Sequence, residues 1–355
     1  MHFMSAKETA DKWNVSQRRI VLLCKENRIP GAMMVGHKWI IPADIERPDD
    51  AHSAIYLPNS TLYIKTFLKW AGGKAQILSE IQSKYPQGLG SSITKYAEPF
   101  VGGGAVLFDI LNKYELDEIY ISDINSELIL TYKNIRDHID ELILALHTLQ
   151  DEYFALDICK RNSYYYDKRE RFNLLKKIKS ESVELAALFI FLNRTCFNGL
   201  YRVNSKGEFN VPMGSYKNPT ICEEANVRAV SEKLQMVNIV CGDYKKSRQF
   251  IDSRTFAYFD PPYRPLSSTS SFTSYAQGGF DDKQQAELAQ FIDEVSEKGA
   301  AVVASNSDPK NTDENDDFFD RLYAKHNIHR ISAMRMINSV GEGRGKISEL
   351  LITTY

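Results

Sequence analysis

From about residue 93 onward, short apolar runs alternate with stretches whose apolar positions recur three and four apart. Runs at Ile93 to Ala97, Glu118 to Ser122, Arg254 to Phe259, Gly299 to Ser305, Asn327 to Ala333 and Ile347 to Thr353 predict strands. Helical stretches lie between them, including Ala105 to Leu111, and the alternation predicts an α/β fold built on a doubly wound sheet. A long insert, about 137–220, separates the second run from the third. It reads as mostly helical to about Leu192, then as loop with Gly and Asn to about Pro219. Residues 1–46 follow another pattern. Ser5-Ala6-Lys7-Glu8 is a capping box that opens a short helix, Asn14-Val15-Ser16 is a tight turn, and Ser16 can cap a second helix carrying Arg18 and Arg19. Ala32 to Pro42 then reads as strand, turn, strand, with His37 in the turn. Two prolines and adjacent aspartates without periodicity mark 47–62 as a linker, leaving 63–355 as the main domain.

Composition narrows the class. The 355 residues are 43% hydrophobic and 25% charged, as in ordinary globular proteins, which excludes gross disorder. Apolar runs such as Ala186 to Leu192 fall far short of the roughly 18 residues that a membrane span needs. The start, MHFMSAKETADK, has no apolar segment of the kind that directs export. Five scattered cysteines, Cys24, Cys159, Cys196, Cys222 and Cys241, fit neither a disulfide framework nor a zinc site and predict a reduced, cytoplasmic chain. No metal cluster is expected. Net charge is only −2, yet its distribution is uneven. Lys160 to Lys217 holds twelve Lys/Arg against five Asp/Glu, while Asp281 to Asp320 holds three against twelve. One face is expected to meet phosphate and another water, although two solvated helical faces would read the same.

Two constellations carry chemistry. Glu98-Pro99-Phe100-Val101-Gly102-Gly103-Gly104 puts glycines between a strand and a helix, where backbone can approach a ligand closely. The spacing is not G-x-G-x-x-G, which disfavours a nicotinamide-linked oxidoreductase. Glu98 before the turn suits an ammonium group rather than a pyrophosphate. Asp123 closes the next strand, where such folds place an acid against ribose hydroxyls. Together they suggest a nucleoside ligand; a structural turn with an Asp cap accounts for them equally. The second constellation, Asp260-Pro261-Pro262-Tyr263, follows a strand at the substrate end of the sheet. The Asp260 carboxylate and the Pro261 carbonyl can each accept a hydrogen from an exocyclic amine, drawing its lone pair out of conjugation. Tyr263 offers a face on which a base can stack, worth ~1 to 3 kcal/mol.

From about Thr66 to Tyr355 the chain resembles the Dam-like DNA adenine-N6 methyltransferases, of the D12 class and alpha group. The likeness rests on Phe67 to Lys74 (FLKWAGGK), Glu98 to Gly104, Ser122-Asp123-Ile124-Asn125, Asn193 to Lys217, and Asp260 to Tyr263 with the following Pro265-Leu266-Ser267. It implies a Rossmann-like methyltransferase sheet and S-adenosylmethionine as cofactor. Trp70, Lys74, Asp123 and Asp260 would contact that cofactor, Glu98, Gly102 and Gly104 would line its methionine end, and the turn at Asp243 its adenine end. Catalysis would fall to Asp260, Pro261 and Tyr263. The basic segment Asn193 to Gly214 is similar to the family's DNA-reading hairpin. Arg202 suits a bidentate contact to guanine, Asn198 suits a base edge or phosphate, and Phe197 can wedge into the base stack or simply pack in the core. The likeness adds Lys69 as a DNA contact and GATC as the site.

Double-stranded DNA is thus the expected partner, with a cognate restriction endonuclease and a monomer or weak dimer also consistent; localisation would be cytoplasmic and nucleoid-associated. Residues 1–46 resemble the winged helix-turn-helix modules of excisionase and MerR-type proteins, or serve as an accessory hairpin. Ser267 to Phe280, polar and Gly-containing, reads as a mobile loop beside the pocket. The rival readings are a DNA-binding regulator with an inactive methyltransferase-like domain, and methyl transfer to RNA or a protein amide.

Overall fold

The computed structural model describes residues 3–13, 20, 24, 29, 31–35, 38–43, 45, 63–70, 72–264, 280–334 and 346–355. The chain forms two compact units, Met1–Thr61 and Leu62–Tyr355.

In the first unit, strand β1 (Phe3–Ser5) leads into the helix Ala6–Trp13. The expected capping box is formed: the Glu8 N–H donates to Ser5 Oγ at 3.2 Å, and the Ser5 N–H to Glu8 Oε2 at 2.7 Å. Strands β2 (Met33–Val35) and β3 (Lys38–Pro42) pair antiparallel, as read from Ala32 to Pro42. β1 was not foreseen; it pairs with β3, making a three-stranded sheet in the order β1-β3-β2. The turn at Asn14 to Ser16, the second helix with Arg18 and Arg19, His37 and the linker lie outside the described residues, and the winged helix-turn-helix reading stays an expectation.

The second unit is a seven-stranded sheet of order β6-β5-β4-β7-β8-β10-β9, from β4 (Lys95–Glu98), β5 (Glu118–Asp123), β6 (Val237–Cys241), β7 (Thr255–Phe259), β8 (Ala301–Ser307), β9 (Asn327–Met334) and β10 (Lys346–Thr353). Strands β4 to β8 are mutually parallel, and β10 runs antiparallel to both β8 and β9. All six predicted strands are present with ends shifted by a few residues. The edge strand β6 was missed. Its run Val237-Asn238-Ile239-Val240-Cys241 is five residues long and follows directly on the helix Glu224–Leu234, so it offers little period of its own.

Side-chain alternation along each strand divides the core in two. Tyr96, Ile119, Ile121, Phe256, Tyr258, Val303 and Leu351 join the cluster on one face. Ala97, Tyr120, Ala257, Phe259, Val302, Ala304 and Leu350 join the cluster on the other, with Leu288, Phe291 and Ile292 of the helix Asp282–Glu297. The insert supplies the helices Ile139–Ala155, Ile158–Lys177 and Val183–Thr195. The last is buried from Leu185 to Asn193 and packs against both others.

Candidate active site

The strand order turns back between β4 and β7. There the chain connections run off in opposite directions, the switch point at which such sheets place a ligand crevice. The period of two along a strand decides which side chains line it. Glu98 follows Tyr96 on one face, Asp260 follows Tyr258, and Ser305 follows Val303, so three polar groups from adjacent strands point to the same side.

Lys74 meets them. Its Nζ lies 2.8 Å from Asp260 Oδ1, donates to the Gly72 carbonyl at 2.7 Å, and sits 4.5 Å from the centre of the Tyr263 ring. Lys74 is 6% exposed, so this charge is neutralised inside the protein and not by water. Two prolines fix the backbone between Asp260 and Tyr263. Beyond them Gln285 Nε2 donates to the Pro262 carbonyl at 3.1 Å, and Asn306 Nδ2 holds Gln285 Oε1 at 3.0 Å. Tyr263 donates its hydroxyl to Glu349 Oε2 on β10 at 2.8 Å, which sets the ring plane. Arg264 is gripped by Asp282 and Asp316, so part of the acidic segment serves as internal counter-charge as well as wet surface.

Glu98 is buried and accepts from the Tyr96 hydroxyl at 2.7 Å. Burial, with the nearby Asp260 charge adding to it, pushes its carboxyl up to about 8, although the Tyr96 hydroxyl, the Leu107 N–H and Lys74 pull the other way. After it, Gly102 (φ 47°) and Gly104 (φ 72°) adopt left-handed backbone. A Cβ on Gly102 would stand 2.9 Å from Trp70 Cδ1, and one on Gly104 would stand 2.6 Å from the Tyr132 hydroxyl, so glycine is required twice over. Trp70 in turn stacks on Tyr201, with ring centres 6.0 Å apart. Asp123 accepts from the Gly102 N–H at 3.1 Å and the Asn125 N–H at 2.9 Å. Burial nonetheless raises its pKa. The Gly242 N–H donates to the Asp123 carbonyl at 2.9 Å, which brings the exposed Asp243, cap of the following 3-10 turn, to the same sheet end.

A second group of predicted residues gathers on the insert. Arg202 to Asn210 folds back on itself with Val203 opposite Phe209, and Arg202 Nε donates to Asn210 Oδ1 at 2.8 Å. Phe197 is 51% exposed, which removes the core-packing alternative. Asn198 takes left-handed backbone at φ 54°, a conformation asparagine tolerates. Lys69 sits with its Nζ 3.8 Å from the Tyr216 ring centre. Reasoning from sequence named neither Ser305, Gln285, Asn306 nor Glu349. Only the strand parity at the ends of β8 and β10 could have pointed to Ser305 and Glu349. Of the loop Ser267 to Phe280, only Phe280 is described, edge-on to Phe100; the rest lies outside the described residues.

Residues 70–337 match the model of the D12 class N6 adenine-specific DNA methyltransferases. The chain belongs to this family. Among relatives, the Type II methyltransferase M.MjaIII of Methanocaldococcus jannaschii is 50% identical over 294 residues, 82% of this chain and 99% of its own. The Type II methyltransferase M1.LlaDCHI of Lactococcus lactis is 38% identical over 301 residues, 84% and 98% of the two chains. The DNA adenine methylase of Escherichia coli K12 is 36% identical over 287 residues, 81% and 94%. This D12-class protein is therefore an adenine-specific DNA methyltransferase. Among the described residues no helix is long and apolar enough to cross a membrane, and no cluster of His, Cys, Asp and Glu could hold a metal ion.

Proposed function

We propose that this enzyme methylates N6 of adenine in duplex DNA with S-adenosylmethionine as donor, that it does so within GATC, and that the residues around the β4/β7 crevice carry the reaction. The observation that bears most weight is Lys74 held between Gly72, Asp260 and Tyr263 beside the buried Glu98.

The site suits such a donor on its own chemistry. A fully buried carboxyl with a raised pKa, such as Glu98, is a group waiting for a cation, and the methionine end brings an ammonium. The glycine turn packs its backbone directly against Trp70 and the Tyr132 hydroxyl, which a Cβ would displace. Asp123 and Asp243, at the ends of β5 and β6, offer acceptors for the ribose and adenine end. When bound, the donor supplies a methyl carbon made electrophilic by its sulfonium.

The protein's own residues do the rest. Tyr263, its hydroxyl tied to Glu349, presents its ring to an adenine extruded from the helix. Asp260 and the Pro261 carbonyl accept the two N6 hydrogens, so the nitrogen lone pair is directed at the methyl carbon. As the N–C bond forms, the C–S bond breaks with its electrons passing to sulfur, and the extra proton leaves N6 for water. Lys74, 2.8 Å from Asp260 Oδ1, orients that carboxylate, so the contribution is chiefly one of position. On the insert, Arg202 reads guanine, Asn198 holds the DNA together with Lys69 of the segment before β4, and Phe197 fills the gap left by the flipped base.

Tritiated donor incubated with the enzyme and adenine-containing duplex should label the DNA, and Asp260→Ala should abolish labelling. Long-read detection of N6-methyladenine in cells expressing the enzyme should place the mark in GATC; marks confined to another motif would remove that specificity and leave the chemistry standing. Because two relatives carry Type II names, we extend to this enzyme a cognate restriction endonuclease as partner.

A further inference from the structure

Both hydrogen-bonded groups that reach Asp260 end on one oxygen. Lys74 Nζ lies 2.8 Å from Oδ1, and Ser305 Oγ donates to the same Oδ1 at 2.8 Å. Ser305 is 1% exposed and sits near the carboxyl end of β8. Since its hydroxyl hydrogen is committed to Asp260, the contact of 3.0 Å between Tyr258 and Ser305 runs from the Tyr258 hydroxyl to Ser305 Oγ. Tyr258 is fully buried, and burial with the adjacent Asp260 charge keeps its phenol protonated. The three groups form a directed chain, Tyr258 to Ser305 to Asp260. Its members come from β7, the residue directly after it and the parallel neighbour β8, at positions where strand parity points all three side chains to one face. Among the described residues no hydrogen bond reaches Asp260 Oδ2.

We infer that Ser305 is a positioning residue for methyl transfer. By occupying Oδ1 together with Lys74, it fixes the carboxylate plane and leaves Oδ2 as the one oxygen offered to the adenine amino group. Tyr258 acts through it, polarising the Ser305 hydroxyl and holding its rotamer. Without this hold the carboxylate can rotate and present either oxygen, and the geometry the amine requires is populated less often. The inference rests on the reading of Asp260 as the acceptor of the N6 hydrogens.

Single-turnover methylation with donor and a GATC duplex tests it. Ser305→Ala should slow the methyl-transfer step by about ten- to a hundredfold, the usual effect of deleting a hydrogen bond to a charged group. Donor and duplex dissociation constants should stay within about twofold, because neither ligand is held by Ser305. Tyr258→Phe, which removes only a hydroxyl, should slow the step by about two- to tenfold, as for a neutral hydrogen bond. Adding Tyr258→Phe to Ser305→Ala should cost nothing further, since the chain is already cut; a packing defect would instead add. Wild-type rates in Ser305→Ala, or additive losses in the double variant, overturn the inference. If Ser305→Ala does not fold, a wild-type rate in Tyr258→Phe overturns the directed chain on its own. Asp260→Ala separates the two claims: transfer surviving in that variant removes the underlying reading, whereas a dead Asp260→Ala beside an unimpaired Ser305→Ala removes only the role of Ser305.

Discussion

The side-chain amide of Asn193 grips both backbone groups of Lys69, accepting from its N–H at 2.8 Å and donating to its carbonyl at 2.7 Å. The same Nδ2 donates to the Gly199 carbonyl at 3.0 Å. One buried amide at the end of the helix Val183–Thr195 thereby fastens the Phe197 to Gly199 turn to the segment that carries Trp70 and Lys74. Gly199 is glycine for this reason, since a Cβ there would run into the Lys69 side chain. Asn193→Leu keeps most of the volume and leaves three backbone groups without this partner. It should lower unfolding free energy by about 1–3 kcal/mol, read as a reduced urea midpoint. Methylation should fall by more than the folded fraction does, because the turn and Lys74 lose their common anchor.

Glu98 makes the enzyme's behaviour depend on pH in a definite direction. Its carboxyl titrates near 4.5 in the unfolded chain and near 8 in the native protein, with burial the main cause. Between those values folding takes up a proton, so this group's contribution to stability is complete below about 4.5 and is lost as pH rises toward 8. Glu98→Gln should flatten that part of the profile, measured by urea titrations at pH 5.5, 7 and 8.5. The sulfonium donor's ammonium, placed against Glu98, should restore its charge. Donor binding at pH 7 is therefore expected to release a proton, seen calorimetrically as a dependence on buffer ionisation heat that Glu98→Gln lacks.

Gly102 tests the donor cradle from the steric side. Alanine there must tolerate φ 47° and a Cβ 2.9 Å from Trp70. The left-handed backbone alone costs about 1–2 kcal/mol, and Trp70 cannot yield without disturbing its stack on Tyr201. Gly102→Ala should weaken donor binding at least tenfold while leaving duplex affinity near that of the native enzyme. Equilibrium binding of each ligand separately checks this; unchanged donor affinity would remove Gly102 from the cradle.

What could be read from residues alone was the chemistry concentrated in contiguous motifs. Glu98 with the glycine turn, and Asp260 to Tyr263, announce themselves because strand, turn and acid stand together in the chain. Ser305 and Asn193 do not. Each acts through a contact that only the folded sheet or helix end creates, across 45 residues to Asp260 and 124 to Lys69. Six of the seven strands of the large sheet were legible as short apolar runs between helical stretches. β6 escaped because only two residues separate it from a helix, with no turn signal before it, and β1 because its three residues have no paired run beside them in the chain. The oppositely charged segments were visible, but the pairing of Arg264 with Asp282 and Asp316 needed the fold.

Phe197 separates DNA recognition from base extrusion. It stands half exposed on the turn that Asn193 fastens beside Lys69, and it makes no ring contact among the described residues. If the ring fills the space vacated by the flipped adenine, its loss should matter most where the adenine must be pulled from an intact pair. Phe197→Ala is expected to slow methylation of a fully paired duplex about tenfold, a cost comparable to one base-stacking contact. With the target adenine placed opposite a mismatched or abasic position, extrusion is already easy, and the same variant should methylate at close to the native rate. Arg202→Ala offers the contrast. Its contact to guanine, worth about 1–3 kcal/mol of discrimination, should be lost equally on paired and mispaired targets, with methylation spreading to sites altered at the guanine. Equal losses for Phe197→Ala on both substrates would mean that the ring grips DNA without opening it.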